Sequence, residues 1–130
     1  MNAKLTRKEL ARREYLLRHL QKLCLVLPEA AETLKWNNPT FVAGKKMFAV
    51  LDRYEGRWCI AFRTSLAEQA RLVKRADIVP APYSAKQGWV CLDGEGKINW
   101  GEVKSWVLDS YRLVALKRML KVLDGMALGE

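Results

Sequence analysis

Two apolar runs, Lys46-Met47-Phe48-Ala49-Val50-Leu51 and Arg57-Trp58-Cys59-Ile60-Ala61-Phe62, flank the turn signal Tyr54-Glu55-Gly56. Successive side chains of a strand leave opposite faces of a sheet, so a strand with one wet face alternates apolar and polar residues. Neither run alternates. The pair therefore reads as two central strands of an antiparallel sheet, joined by a hairpin and covered by helices on at least one face.

The flanking segments supply the cover. Thr6-Arg7-Lys8-Glu9 is a capping box that opens a first helix. Leu10, Leu17, Leu20, Cys24 and Leu27 recur at helical spacing, flanked by Leu16 and Leu23, and Pro28 ends the helix. Arg7, Lys8, Arg18 and Lys22 fall on the opposite face, and Arg13 points toward the apolar side. Glu32 to Trp36 extends, Asn37-Asn38-Pro39 turns, Thr40-Phe41-Val42 extends again, and Ala43-Gly44-Lys45 turns into the first apolar run. Ser65-Leu66-Ala67-Glu68 is a second capping box, starting a short helix to about residue 74 with Leu66, Ala70 and Val73 facing inward. Ile78 to Tyr83, broken by Pro80 and Pro82, is an extended loop. Gly88 to Leu92 is a short strand, Asp93-Gly94-Glu95-Gly96 a turn, and Lys97-Ile98 a segment that can pair back. Asn99 caps a long helix through Val103, Trp106, Val107, Tyr111 and Val114. Leu113, Leu116, Leu120 and Leu123 continue as a stripe that either packs on the body or meets a protein partner or a second copy of the chain.

The expected class is α+β: a two-layer sandwich of an antiparallel sheet against helices, in the order α-β-β-β-α-β(β)-α. At 130 residues the chain has the size of one domain. Residues 116–130 extend it as a C-terminal helical segment.

The chain resembles the MmcQ/YjbR family. The resemblance rests on Leu27-Pro28 with Glu32, Trp36 to Phe41, Gly44 to Ala49, Pro80 to Tyr83, Gly88-Trp89-Val90, Trp100 and Ser110 to Val114. It covers about residues 10 to 115 and implies a CyaY-like sandwich. It also implies DNA binding through a double-wing arrangement of hairpins. The iron binding of frataxin-type folds does not come with it, because that function wants an acidic ridge on the first helix and this helix is basic.

Charge agrees with an anionic partner. Lys and Arg outnumber Asp and Glu by 23 to 14, for a net charge of +9. Two hairpin tips are basic, one carrying Lys45 and Lys46 and the other Arg53 and Arg57, and Lys86 lies between Tyr83 and Trp89. Cations at these positions would hold DNA phosphates without reading sequence. The plainer reading of those lysines is solvated hairpin chemistry that also deters edge pairing, and that of Trp36, Phe41, Trp58 and Trp89 is core. The second functional reading is a small-ligand or protein-interaction domain. For it, Trp36, Asn38, Phe41, Tyr83 and Trp89 would line an aromatic cleft, with Asn37, Pro39 and Lys46 nearby.

Catalysis finds little support. His19 has no ligand partner at useful spacing, Ser110 lies on a helix without a nucleophile elbow and suits a structural hydrogen bond, and Gly94 and Gly96 lack the run a phosphate loop needs. Cys24, Cys59 and Cys91 are odd in number and widely spaced, which argues for reduced buried thiols over disulfides or zinc. No cofactor is expected. The polar stretch Met1 to Lys8 lacks an apolar signal core, and no apolar run nears the ~20 residues that cross a bilayer. The expectation is a non-enzymatic cytoplasmic protein.

Overall fold

The computed structural model describes residues 4–128, and the side chains of residues 4–126. Met1 to Ala3, which begin the polar N-terminal stretch, and Gly129–Glu130, which end the C-terminal extension, lie outside the described residues. The elements run α1 (Arg7–Cys24), β1 (Ala30–Lys35), β2 (Asn38–Ala43), β3 (Lys46–Tyr54), β4 (Arg57–Arg63), α2 (Leu66–Leu72), β5 (Ile78–Pro80), β6 (Trp89–Asp93), α3 (Trp100–Val114) and α4 (Lys117–Leu128). A 3-10 turn, Ala85–Gln87, precedes β6. The six strands form one antiparallel sheet in the order β1-β2-β3-β4-β6-β5, so the two apolar runs are its central pair.

Four strands, where the expected order has three, separate α1 from α2. Ile78–Pro80, expected as loop, is the edge strand β5. A proline is admitted there because an edge strand leaves one row of backbone groups free of the ladder. Lys97 and Ile98 pair with nothing and lie in the loop before α3.

The helices cover one face only. Alternation sends Phe41, Leu51, Ile60, Phe62, Val90 and Leu92 to that face, where they meet Leu16, Leu20 and Cys24 of α1 and Val103, Trp106, Val107 and Tyr111 of α3. Phe62 stacks on Trp106 at 5.2 Å between ring centroids, and Phe48 meets Tyr111 edge-on. The buried stripe of α1 is Leu16, Leu20 and Cys24, spaced by four, whereas Leu10 is exposed. Leu66 and Ala70 of α2 are likewise exposed, and Leu72 is the residue that α2 buries.

Local chemistry fixes the ends. In the complete capping box of α1 the Thr6 hydroxyl accepts the Glu9 amide and the Glu9 carboxylate accepts the Thr6 amide, and the Ser65 and Asn99 side chains each accept one backbone amide at the starts of α2 and α3. The β2–β3 register slips at Phe41/Val42, which makes Phe48 the extra residue of a bulge. Ser110 repairs the gap: its hydroxyl donates to the Phe48 carbonyl at 2.6 Å and accepts the Arg63 amide at 2.9 Å. That is the structural hydrogen bond expected of it. At the start of β6, Gly88 has φ +93°, and a Cβ there would stand 2.0 Å from the Thr64 carbonyl oxygen. Only glycine fits that crossing.

The last helical stretch is broken. α3 stops at Val114 and α4 starts at Lys117. Met119 and Leu123 enter the core, with Leu120 partly buried beside them, while Leu113 and Leu116 are exposed. Thus α4 packs on the body through only part of the expected leucine stripe. Arg118 grips Glu29 with two hydrogen bonds, at 2.9 and 2.8 Å.

Candidate functional site

The face of the sheet away from the helices has no helical cover, so its residues become a floor. Trp89, Cys91, Ala61 and Cys59 pack there in a small second cluster, with Met47 and Val50 beside them. The β1–β2 turn and the loop after β5 rise around it. Trp36 caps the first at 96 % exposure, with φ +54°, and Tyr83 caps the second, fully exposed, with φ +69°. Left-handed backbone is unfavourable for a side chain with a Cβ, so two large aromatics are held outward at a local cost. Together with Asn38, Thr40 and Lys35 they bound a cleft of about 390 Å³ floored by Trp89, Val50 and Cys91. The Asn38 amide donates to Asp52 at 2.9 Å, which places a paired polar group at the wall.

Four of the five residues expected in an aromatic cleft therefore meet: Trp36, Asn38, Tyr83 and Trp89. Phe41 does not. Its partners in register are Glu32 and Ala49, on the helix-covered face, and it is fully buried there. Trp36 is in turn a correction to the core reading, which holds for Phe41, Trp58 and Trp89 alone. It stands in the turn between β1 and β2, exposed to solvent.

The expected cations divide. Lys45 and Lys46 are exposed at the β2–β3 tip, and Lys86 is exposed on the 3-10 turn. The Gly88 carbonyl accepts the Thr64 amide at 2.9 Å, which ties that turn to the end of β4 nearest the Lys45–Lys46 tip. Arg53 instead lies half-buried on the helix-covered face, paired with Glu9 and stacked on Trp58 at 4.6 Å. Arg57 holds both oxygens of Asp93, at 3.0 and 2.9 Å, and this contact raises the guanidinium pKa above its ordinary value. The two tips lie at opposite ends of the nine-residue β3, roughly 26 Å apart at strand rise. They do not make one patch. All eight salt bridges among the described residues use arginine, and no lysine takes part in one.

A second cavity of about 320 Å³ continues along the open face, lined by Tyr54, Arg57, Cys59, Val79 and Asp93 and sharing Cys91 with the first. Sequence reasoning placed no function at Met47, Val50, Cys59 or Cys91. The signal was available in β6, where Trp89, Cys91 and Asp93 alternate onto one face. Cys59 and Cys91 are thiol neighbours. A hydrogen bond between them favours the Cys91 thiolate and pushes the Cys59 thiol up.

The other sequence candidates are spoken for. His19 stacks on Trp100 at 4.2 Å beside Tyr15, and no three His, Cys, Asp or Glu residues are grouped to hold a metal among the described residues. The carbonyls of Gly94 and Gly96 both accept from Arg12, so that turn is a docking point for α1. No helix among the described residues is long and apolar enough to cross a membrane.

The family model YjbR matches residues 25–113. A crystal structure of a Deinococcus radiodurans protein with a DUF419 domain superposes with a TM-score of 0.68 at 22 % identity, covering 83 % of this chain and 87 % of that one. A Pseudomonas syringae protein superposes with a TM-score of 0.64 at 19 % identity, covering 78 % of this chain and 97 % of that one. At these identities the likeness is one of fold. No curated protein matches the chain.

Proposed function

The chain belongs to the YjbR family, and from that premise we propose that it is a non-enzymatic binding protein whose open sheet face takes single-stranded DNA, without reading its sequence. One observation carries the reading: Trp36 and Tyr83 stand almost wholly exposed on opposite rims of a half-apolar cleft, each on a left-handed backbone. An exposed ring held outward offers a base a stacking surface, and every base has a π-face, so the contact is tolerant of sequence. A duplex presents no unstacked base to such rims, whereas a single strand does.

The cations support the same polarity. Seven arginines are held in salt bridges by carboxylates, whereas no lysine among the described residues is, and Lys35 lies at the cleft wall. Lys86 and the Lys45–Lys46 tip share one end of the sheet. Lysine ammoniums there supply phosphate contacts and counterion release. Arg53 and Arg57 have no part in this reading, because each would have to leave its carboxylate.

The test is a salt titration of a labelled oligothymidylate against the intact chain. The expected result is affinity falling steeply with salt, and a preference for single strand over duplex. Trp36→Ala and Tyr83→Ala should each weaken binding by about ten-fold, from a stacking contribution of about 1–3 kcal/mol per base. Changing Lys45 and Lys46 to Ala should reduce the salt slope by about two. No binding at low salt would overturn the reading. Equal loss of duplex and single strand in the lysine variant, with the aromatic variants unchanged, would move the site to the hairpin tip.

A small planar ligand is the second reading, favoured by the cleft volume of about 390 Å³, which lies within the usual range for ligand pockets. Binding of a free mononucleotide as tight as that of the oligonucleotide, and independent of salt, would select it.

A further inference from the structure

We propose that Cys59 and Cys91 form a thiol–disulfide couple on the floor of the open face, closed by a hydroperoxide. The register of β4 and β6 sets Cys59 opposite Asp93 and Cys91 opposite Ala61. The two cysteines are therefore diagonal neighbours on adjacent strands, on the same face, within one small cluster. Diagonal positions lie about 7–8 Å apart at the backbone, with their side chains closer, and a disulfide spans up to about 6.8 Å between Cα atoms. The strands are already hydrogen-bonded neighbours, so closure needs a small local shear or twist of β6 along β4. β6 is suited to make it, because its outer neighbour is only the three-residue β5.

Access and reactivity fall on the same residue. Cys91 is 3 % exposed but lines both open-face cavities, which gives a small oxidant two approaches to it. The Cys59 thiol hydrogen bond stabilises the Cys91 thiolate, while burial and the nearby Asp52 oppose it. Cys24 offers the contrast. It is the last residue of α1, buried on the helix-covered side and away from both cavities, and burial pushes its thiol up.

The chemistry balances with hydrogen peroxide as oxidant. The Cys91 thiolate attacks one peroxide oxygen, the O–O bond breaks, and the departing hydroxide takes a proton to become water, leaving a sulfenic acid. The Cys59 sulfur then attacks the sulfenic sulfur, the S–S bond forms, and the expelled hydroxide takes the Cys59 proton as a second water. Two thiols are oxidised by two electrons, and one peroxide is reduced to two waters.

The test uses the full chain, reduced and then exposed to stoichiometric hydrogen peroxide. Intact mass should fall by two hydrogens, non-reducing peptide mapping should join the Cys59 and Cys91 peptides, and dithiothreitol should reverse both. In Cys59→Ser the oxidation should stop at a Cys91 sulfenic acid that dimedone traps. Three titratable thiols after treatment would overturn the proposal, as would links only between molecules or a Cys59→Ser variant in which Cys91 is never trapped. None of these readouts involves nucleic acid, so the result stands apart from the binding reading.

Discussion

The two faces of the sheet are built from alternate residues of the same strands, yet they are finished in opposite ways. The helix-covered face sets Phe41, Phe48, Leu51, Ile60 and Phe62 at zero exposure, and its stray polar groups at the bulge are satisfied by Ser110. The open face has one large floor residue, Trp89, among small side chains, with two thiols, two cavities and aromatic rims that nothing covers. The cations divide by type and not by face: seven arginines sit in salt bridges, and no lysine among the described residues does. One face carries most of the core and the other is left uncovered, so a change on one should move a property that a change on the other leaves alone.

Phe62→Ala is the hardest blow to that division. It removes a fully buried ring stacked on Trp106 and should cost about 3–5 kcal/mol in denaturant unfolding. Val50→Ala on the open face should cost clearly less, and equal losses would break the comparison. Ser110→Ala comes next, because it strands the Phe48 carbonyl and the Arg63 amide inside the protein. A loss of about 1–3 kcal/mol is expected, and an unchanged midpoint would mean that the bulge does not depend on the hydroxyl. Trp36→Gly should do the reverse of both: stability held or raised by up to about 1 kcal/mol, since glycine accepts the left-handed backbone, with oligonucleotide binding lost. Loss of stability in that variant would make Trp36 a packing residue after all.

The smallest effect concerns acid. Arg75 holds the Asp77 carboxyl below its ordinary value of 3.8, and Arg118 and Arg71 lower Glu29 and Glu68 from 4.5 in the same way. A carboxylate depressed in the folded state adds stability above its unfolded pKa, and that stability is lost as pH falls through the folded value. The urea midpoint should therefore be flat near neutrality and decline from about pH 4.5 downward. The decline should be shallow because these pairs are largely exposed. A decline beginning near neutrality would point to a different group.

Much of the fold was legible because its signals are local. Thr6, Ser65 and Asn99 cap where their spacing says they should, and the unbroken apolar runs fall at the centre of the sheet. The errors arise where tertiary placement overrides pattern. Leu66 and Ala70 have helical spacing, but a helix of seven residues needs only Leu72 to dock. Ile78–Pro80 has the composition of a loop and becomes a strand because β6 offers it an open edge. The candidate site was half-legible. Trp36, Asn38, Tyr83 and Trp89 were named together, while Arg53 and Arg57 were misread as free because their partners, Glu9 and Asp93, lie 44 and 36 residues away. No sequence window brings such charges side by side. The pairing of Cys59 with Cys91 was hidden for the same reason, since it depends on register between strands separated by a helix.

Gly88 bears on how such a chain can change over generations. A substituent as small as a methyl group would collide with the Thr64 carbonyl, and that crossing is where the loop carrying Tyr83 rejoins the sheet. The rims can drift in size and chemistry, since nothing packs over them. The crossing beneath Tyr83 cannot, so a descendant that keeps this route into β6 keeps a glycine at that position even if every aromatic above it is exchanged.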